Sequence, residues 1–209
     1  MGHWQISTTN CRVTIRPVPG PIVRRGTRQF QEAATVAEFS PTHFQREDEE
    51  DDRNFYLYPR KVVHIDDGAI AAVSQLFEEL IPEDSVILDL MSSWRSHWPD
   101  NHPKRSLVGL GLNQEEMEDN PALDEIIVHN VNSNPVLPFE DATFDAVVIT
   151  VSVQYLTQPV ETFIQVNRIL KPEGVFIVSF SNRMFPSKAV RIWCTSNDRG
   201  RVDLVGTYM

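Results

Sequence analysis

Polar side chains recur along this chain directly after short apolar runs, in places where buried strands would end. They are one carboxylate, two serine hydroxyls, two amides and a threonine: Asp89, Ser92, Ser93, Asn113, Asn130 and Thr150. Such groups accept and donate hydrogen bonds, which suits them to hold a polar small molecule. Neither serine is predicted to be a nucleophile, because bulky Trp94 and Arg95 stand where a nucleophile needs small neighbours.

Candidates for proton transfer and for metal binding are few. Tyr155 and His129 lie after apolar runs and are the candidate bases, but no residue is assigned as catalytic. Residues 182–183, Asn-Arg, either hold a polar or anionic substrate or form a solvated loop. His97 and His102 have no third ligand at suitable spacing, so no metal site is expected.

The elements that must position these residues alternate between strand and helix. Five apolar runs are predicted to be strands: residues 86–90, 107–110, 126–128, 144–150 and 175–180. A helix capped at Asp66 is predicted to run to about Leu80, and another to begin near Pro159. This alternation predicts an α/β fold with a Rossmann-like, doubly wound, mostly parallel sheet.

Parallel sheets of this kind bind ligands beyond the carboxyl ends of their strands. The loops after Leu90, Leu110, Val128 and Thr150 are therefore the predicted binding region. The expected ligand is a small molecule, since a formal net charge of -10 argues against general binding to a nucleic-acid backbone. No run of 18 apolar residues is present, so no membrane-spanning helix is expected and the protein is predicted to be soluble.

The N-terminal 44 residues differ from the rest in composition. They carry five arginines and two glutamates, a balance of +3, whereas residues 45–209 are strongly acidic. One interpretation is an organelle transit peptide for a plastid or mitochondrion, and the other is a disordered tail on a cytoplasmic protein. Residues 45–209 are predicted to form the α/β domain. Its acidic run at 47–52 is predicted to be a solvated linker, so packing is expected to begin near residue 53. Residues 55–60 either form a lid or pack on the core through Tyr56 and Tyr58.

Two motifs resemble the class I S-adenosylmethionine-dependent methyltransferases, in particular their type 11 branch. Residues 137–147 read Leu-Pro-Phe-Glu-Asp-Ala-Thr-Phe-Asp-Ala-Val, and residues 169–174 read Ile-Leu-Lys-Pro-Glu-Gly. The resemblance covers roughly residues 54–195 and implies S-adenosyl-L-methionine as cofactor. It implies cofactor contacts from ten residues: Asp89, Leu90, Met91, Ser92, Ser93, Leu112, Asn113, Asn130, Val131 and Thr150.

The chain departs from the family pattern at the cofactor positions. Met91, Ser93 and Arg95 stand where the family has glycines, and the larger side chains would intrude or force another loop path. Gly111 replaces the acid that binds the ribose hydroxyls in the family, with Asn113 two residues on. An amide, Asn130, replaces the acid that contacts the adenine amine. Ser92 and Ser93 either bind the cofactor's carboxylate or cap the next turn.

The sheet is also expected to lack its last two strands. The family has two more strands after the fifth, one of them antiparallel, but residues 181–209 are predicted to be helix and loop. Residues 175–180 would then form an open edge that self-associates, is covered, or belongs to a truncated isoform. Two functions follow: a methyltransferase acting on a small molecule of unknown identity, or a catalytically inactive methyltransferase-fold protein that serves in binding or as a scaffold.

Overall fold

The computed structural model describes residues 39–209, together with the backbone of two strands at residues 4–7 and 12–17. Its strands are β1 (Trp4–Ser7), β2 (Arg12–Pro17), β3 (Ser85–Leu90), β4 (Lys104–Gly111), β5 (Glu125–Val128), β6 (Phe144–Thr150) and β7 (Leu170–Phe180). Its helices are α1 (Asp52–Phe55), α2 (Asp67–Leu80), α3 (Gln114–Glu118), α4 (Pro159–Ile169), α5 (Arg191–Thr195) and α6 (Asp198–Tyr208). Two short 3-10 turns lie at Pro41–Phe44 and Val153–Tyr155.

The strands form one sheet in the order β1-β2-β7-β6-β3-β4-β5, in which β3 to β7 are all parallel. The predicted α/β, doubly wound fold is confirmed. Helix α2 packs on one face of the sheet, where Val73 and Phe77 meet Ile87 of β3. Helices α4 and α6 pack on the other face, where Phe163 meets Val178 of β7. Both faces are covered, and this is why the strands read as apolar runs without alternation.

The end of the sheet differs from the prediction. Strand β2 pairs antiparallel with β7, from Arg12 opposite Phe180 to Pro17 opposite Val175, and β1 pairs with β2. The prediction that residues 175–180 form an open edge for self-association is therefore wrong, because their outer hydrogen-bonding groups already have partners. The two strands beyond β7 in the sheet are therefore β1 and β2, which precede it in the sequence. The described elements after β7 are helices α5 and α6.

Strands β1 and β2 also contradict the prediction that residues 1–44 are disordered throughout. The short alternation in Arg12–Pro17, with Val, Thr and Ile at its centre, favours a strand, but the arginines and prolines around it dominate the composition. The transit-peptide interpretation stays a prediction. Within the described part of the chain, no helix is long and apolar enough to cross a membrane.

Residues 45–65, which we call the covering segment, lie against the loops that follow the strands. The Gln45 carbonyl accepts from the Arg191 backbone N–H at 2.8 Å, and the Asp48 N–H donates to the Ser187 carbonyl at 2.9 Å. Asp52 is only 4% exposed. The prediction that residues 47–52 form a solvated linker is wrong for Asp48 and Asp52, which form ion pairs with the buried cations Arg46 and Lys188. The other acidic side chains of the run, at positions 47, 49 and 50, are exposed as predicted.

Candidate functional site

A pocket of about 140 Å³ lies at the carboxyl ends of β3, β4, β5 and β6, beneath the covering segment. Of the ten predicted cofactor contacts, those that line it are Met91, Ser92, Ser93, Leu112, Asn113, Asn130, Val131 and Thr150. Asp89 and Leu90 do not line the pocket, and both are buried beneath the loop that does. The position agrees with the expectation that parallel sheets bind ligands past their strand ends.

Asp89 is buried behind the pocket lining and contacts the loop after β3. Its Oδ2 atom accepts hydrogen bonds from the Ser92 hydroxyl at 2.7 Å and from the Ser96 hydroxyl at 2.6 Å. Burial raises the pKa of Asp89 to about 6, and the two serine hydrogen bonds oppose that rise. The side chain therefore positions the loop after β3 and does not itself reach the pocket.

Replacing Asp89 with asparagine should remove a pH-dependent loss of stability. The folded-state pKa of about 6 lies above the ordinary value of 3.8, so the folded protein holds this proton more tightly than the unfolded chain. The resulting stability is fully present below about pH 4 and is lost as the pH rises through about 6, a change of roughly 2 to 3 kcal/mol.

This prediction is checked by urea unfolding of both proteins between pH 4 and pH 7. The free energy of unfolding of the wild-type protein, minus that of Asp89→Asn, should fall across this range. Subtraction removes the other carboxylates, such as Asp124 and Asp145, whose pKa values are lowered by lysine partners and hydrogen bonds despite some burial. Parallel stability curves for the two proteins would contradict the assignment.

The loop after β3 keeps a glycine-like backbone without a glycine. Met91 has a φ of 62°, in the left-handed region that costs about 1 kcal/mol or more for a residue with a side chain. The Ser92 N–H then donates to the Leu110 carbonyl at 2.8 Å. As a result, the Ser92 carbonyl crosses directly over Gly111: a Cβ atom there would lie 2.3 Å from the Ser92 oxygen. The place predicted to have lost a ribose-binding acid is thus one where no side chain fits.

The two amides predicted to replace acids are already engaged. Asn113 accepts from the Glu116 N–H at 2.9 Å, which caps α3, and donates to the Tyr56 carbonyl at 2.8 Å. The Oδ1 atom of Asn130 accepts from the backbone N–H groups of Asn132 and Ser133, at 3.0 and 3.3 Å. Both residues line the pocket, but their principal hydrogen bonds hold loops in place.

Sequence reasoning missed Glu116 as a site residue. It is 4% exposed, lines the pocket, and accepts from the Arg60 N–H and from the Ser93 hydroxyl. The sequence signal was the spacing Asn113-x-x-Glu116, which indicates a helix cap. That signal predicts the start of α3 but not the inward direction of the carboxylate.

Two hydroxyl groups on the pocket wall lack partners. Thr150 Oγ1 and Ser152 Oγ are buried and form no hydrogen bond with any residue that the structure describes. Between them, Val151 has a φ of 55°, which is unfavourable for a β-branched residue by about 1 to 3 kcal/mol. Unpaired buried hydroxyls beside a strained residue are typical of a wall that a ligand completes.

The candidate bases differ in whether a protein group already occupies their polar atoms. The Tyr155 hydroxyl accepts from the Phe185 N–H at 2.9 Å, and burial raises the pKa of Tyr155, so it stays protonated at neutral pH. The Nε2 atom of His129 is 2.8 Å from the Asn134 carbonyl oxygen. Because that oxygen can only accept a hydrogen bond, Nε2 carries the proton and donates it. His64 lines the pocket and packs edge-on against Phe185, and burial together with Arg183 lowers its pKa. Residues 182–183 are exposed and do not line the pocket.

A buried ionic cluster fixes the covering segment above the pocket. Asp52 lies 2.6 Å from Arg46 Nη1 and 3.4 Å from Lys188 Nζ, and it also accepts from Asn132 Nδ2 at 2.8 Å. Lys188 is 1% exposed and reaches Asp48 at 3.1 Å.

The sequence left two alternatives for residues 55–60, a lid over the site or packing on the core through Tyr56 and Tyr58. Tyr56 lines the pocket. Tyr58 is 76% exposed, so the prediction that it packs on the core is wrong.

Comparison with known proteins gives one family match. A family model described as a methyltransferase domain matches residues 96–178. No curated protein matches the chain.

Several solved structures are similar at low identity. One is an S-adenosylmethionine-dependent methyltransferase from Mesorhizobium loti, with 18% identity over 54% of this chain and 54% of that chain, at a TM-score of 0.44. Another, from Aquifex aeolicus, has 12% identity over 68% of this chain and 86% of that chain, at a TM-score of 0.46. The YcgJ protein from Bacillus subtilis has 15% identity over 53% of this chain and 49% of that chain, at a TM-score of 0.43. The chain spans about half the length of the first of these structures.

The matched segment begins in the loop after β3 and ends within β7, so it contains the loops that follow β4, β5 and β6. The parallel order β7-β6-β3-β4-β5 agrees with the doubly wound, mostly parallel sheet that the sequence predicts. Residues 96–178 therefore match the family model of a methyltransferase domain, in the part of the chain that carries the motifs at 137–147 and 169–174.

Proposed function

We propose that the pocket binds S-adenosyl-L-methionine and that the protein transfers a methyl group to a small-molecule acceptor. The observation that carries this proposal is the pair of unpartnered hydroxyls, Thr150 Oγ1 and Ser152 Oγ, on the wall of a pocket at the strand ends. A bound polar ligand would satisfy both groups, which otherwise remain buried at a cost of about 1 to 3 kcal/mol each.

The cofactor supplies an activated methyl group on a sulfonium, and the protein contributes binding, orientation and exclusion of water. In this chain the loop at Met91–Ser93 and the wall at Thr150–Ser152 would orient the ligand. The covering segment, anchored by Asp52, would exclude water. His64 and His97 both line the pocket, and burial lowers the pKa of each ring, so these two histidines are the candidates to take a proton from an acceptor.

A second candidate function is ligand or partner binding without catalysis. It is favoured by the Ser92 carbonyl over Gly111 and by the internal hydrogen bonds of Asn113 and Asn130. Calorimetric titration of the full chain with S-adenosylmethionine and S-adenosylhomocysteine separates the two. Micromolar affinity, about -8 kcal/mol, supports the methyltransferase. Absence of binding by a protein that unfolds cooperatively supports the second function.

Removing the wall hydroxyls should weaken ligand binding selectively. Thr150→Val and Ser152→Ala should each reduce affinity for S-adenosylhomocysteine about 2- to 10-fold, the worth of one neutral hydrogen bond. The matched control is Ser179→Ala, because the Ser179 hydroxyl is also buried without a partner in the described chain but does not line the pocket. Calorimetry on the three variants checks this. Equal loss in Ser179→Ala would show that the effect is not local to the pocket.

A further inference from the structure

Glu116 is a buried carboxylate whose charge is not neutralised within the described chain. The pocket wall has two buried carboxylates. Asp52 is paired with Arg46 and Lys188. The hydrogen bonds of Glu116 come only from a backbone N–H and a serine hydroxyl, and no described cation forms an ion pair with it. A buried charge without a counter-ion is costly unless further donors approach it.

The carboxylate has capacity for two more donors. Two carboxylate oxygens offer about four acceptor sites, and the hydrogen bonds from Arg60 and Ser93 use one on each oxygen. The free capacity therefore matches a ligand that presents two neighbouring hydroxyl groups. A ribose diol is such a group.

The position of Glu116 in the fold supports the same ligand. It lies on the first turn of α3, just beyond the end of β4. In doubly wound sheets that hold nucleosides, an acid from this region accepts a hydrogen bond from the ribose. At the end of β4 itself, Gly111 leaves no room, since an added Cβ would meet the Ser92 carbonyl at 2.3 Å. The nearest buried carboxylate that lines the pocket is five residues further on.

We propose that Glu116 binds the ribose diol of the adenosyl ligand, in place of a residue at position 111. The inference rests on the proposed function, because it takes the pocket to be an adenosyl site. It adds a specificity-determining residue that also holds the loop after β3 through Ser93 and the covering segment through Arg60. Ligand binding and closure of the covering segment would then share one carboxylate.

The test compares S-adenosylhomocysteine with its 2′,3′-dideoxy analogue by calorimetry. Wild-type protein should bind the parent compound about 10- to 100-fold more tightly than the analogue, the worth of hydrogen bonds to a charged group. In Glu116→Gln, affinity for the parent should fall by a similar factor while affinity for the analogue stays within about 3-fold. Glu115→Gln, the same change one residue earlier on the exposed side of α3, should bind both compounds as the wild type does.

Each other outcome overturns a defined part of the argument. Wild-type protein that binds both compounds equally would overturn the role of Glu116 and leave the proposed function intact. Equal losses for both compounds in Glu116→Gln would assign the residue a structural role only. Wild-type protein that binds neither would overturn the proposed function and this inference together. Glu116→Asp, which keeps the charge but shortens the side chain, replaces the glutamine variant if that variant does not fold, and it too should lose the preference for the diol.

Discussion

Asp52→Asn should lower the free energy of unfolding by about 3 to 5 kcal/mol, the usual result of removing one partner from a buried ionic cluster. Asp52 is the carboxylate shared by Arg46 and Lys188, whose side chains are 6% and 1% exposed. An asparagine has no charge to balance these cations. In the wild-type protein Arg46 donates to one carboxylate oxygen of Asp52 and Asn132 donates to the other. An asparagine has one oxygen and one NH₂ group, so one of these two donors would face another donor. Urea unfolding at neutral pH measures the loss.

The adjacent residue supplies the control for this prediction. Asp51 forms its ion pair with Arg53 in an exposed position and caps α1 by accepting from the Arg53 N–H. Asp51→Asn makes the same chemical change, keeps a good capping residue, and should leave stability nearly unchanged. If both variants lost the same stability, the covering segment would not be anchored by a buried cluster, and its role in closing the pocket would lose its support.

Gly111→Ala should lower the free energy of unfolding by about 3 kcal/mol, at the upper end of the range for overpacking a buried position. The added Cβ would meet the Ser92 carbonyl at 2.3 Å and Met117 Sδ at 3.1 Å. A backbone oxygen cannot turn aside as a flexible side chain can, so the loop after β3 would have to move. Gly111→Asp should be at least as destabilising and should not create a ligand contact.

Gly206→Ala is the matched control for Gly111→Ala. Gly206 lies in helix α6, and nothing comes within 4 Å of a Cβ added there. Alanine is preferred to glycine within helices by about 0.5 to 1 kcal/mol, so this variant should be slightly more stable than the wild type. Chemical denaturation of both variants checks the pair. A loss below about 1 kcal/mol in Gly111→Ala would show that the loop after β3 is free to change its path.

The parallel sheet and its helices followed from local sequence. Apolar runs such as residues 144–150 and the helical spacing of Val73 and Phe77 are patterns within one element, and tertiary packing reinforces them. The motif at residues 137–147 indicated a methyltransferase domain for a similar reason, since its order and spacing can be read from one short stretch, and it lies within the segment that the family model matches. The sequence also located the pocket, because ligands lie beyond the carboxyl ends of parallel strands.

Contacts between distant residues decided the rest. Sequence placed polar residues near the pocket but could not show that Asn113 and Asn130 bond to the protein, that the Ser92 carbonyl closes position 111, or that Glu116 points inward. The pairing of β2 with β7 and the burial of Asp52 join segments more than 130 residues apart, through backbone hydrogen bonds and through Lys188. Periodicity within a segment determines which element forms. Which donors remain free, and how closely two backbones approach, is determined only when the segments meet.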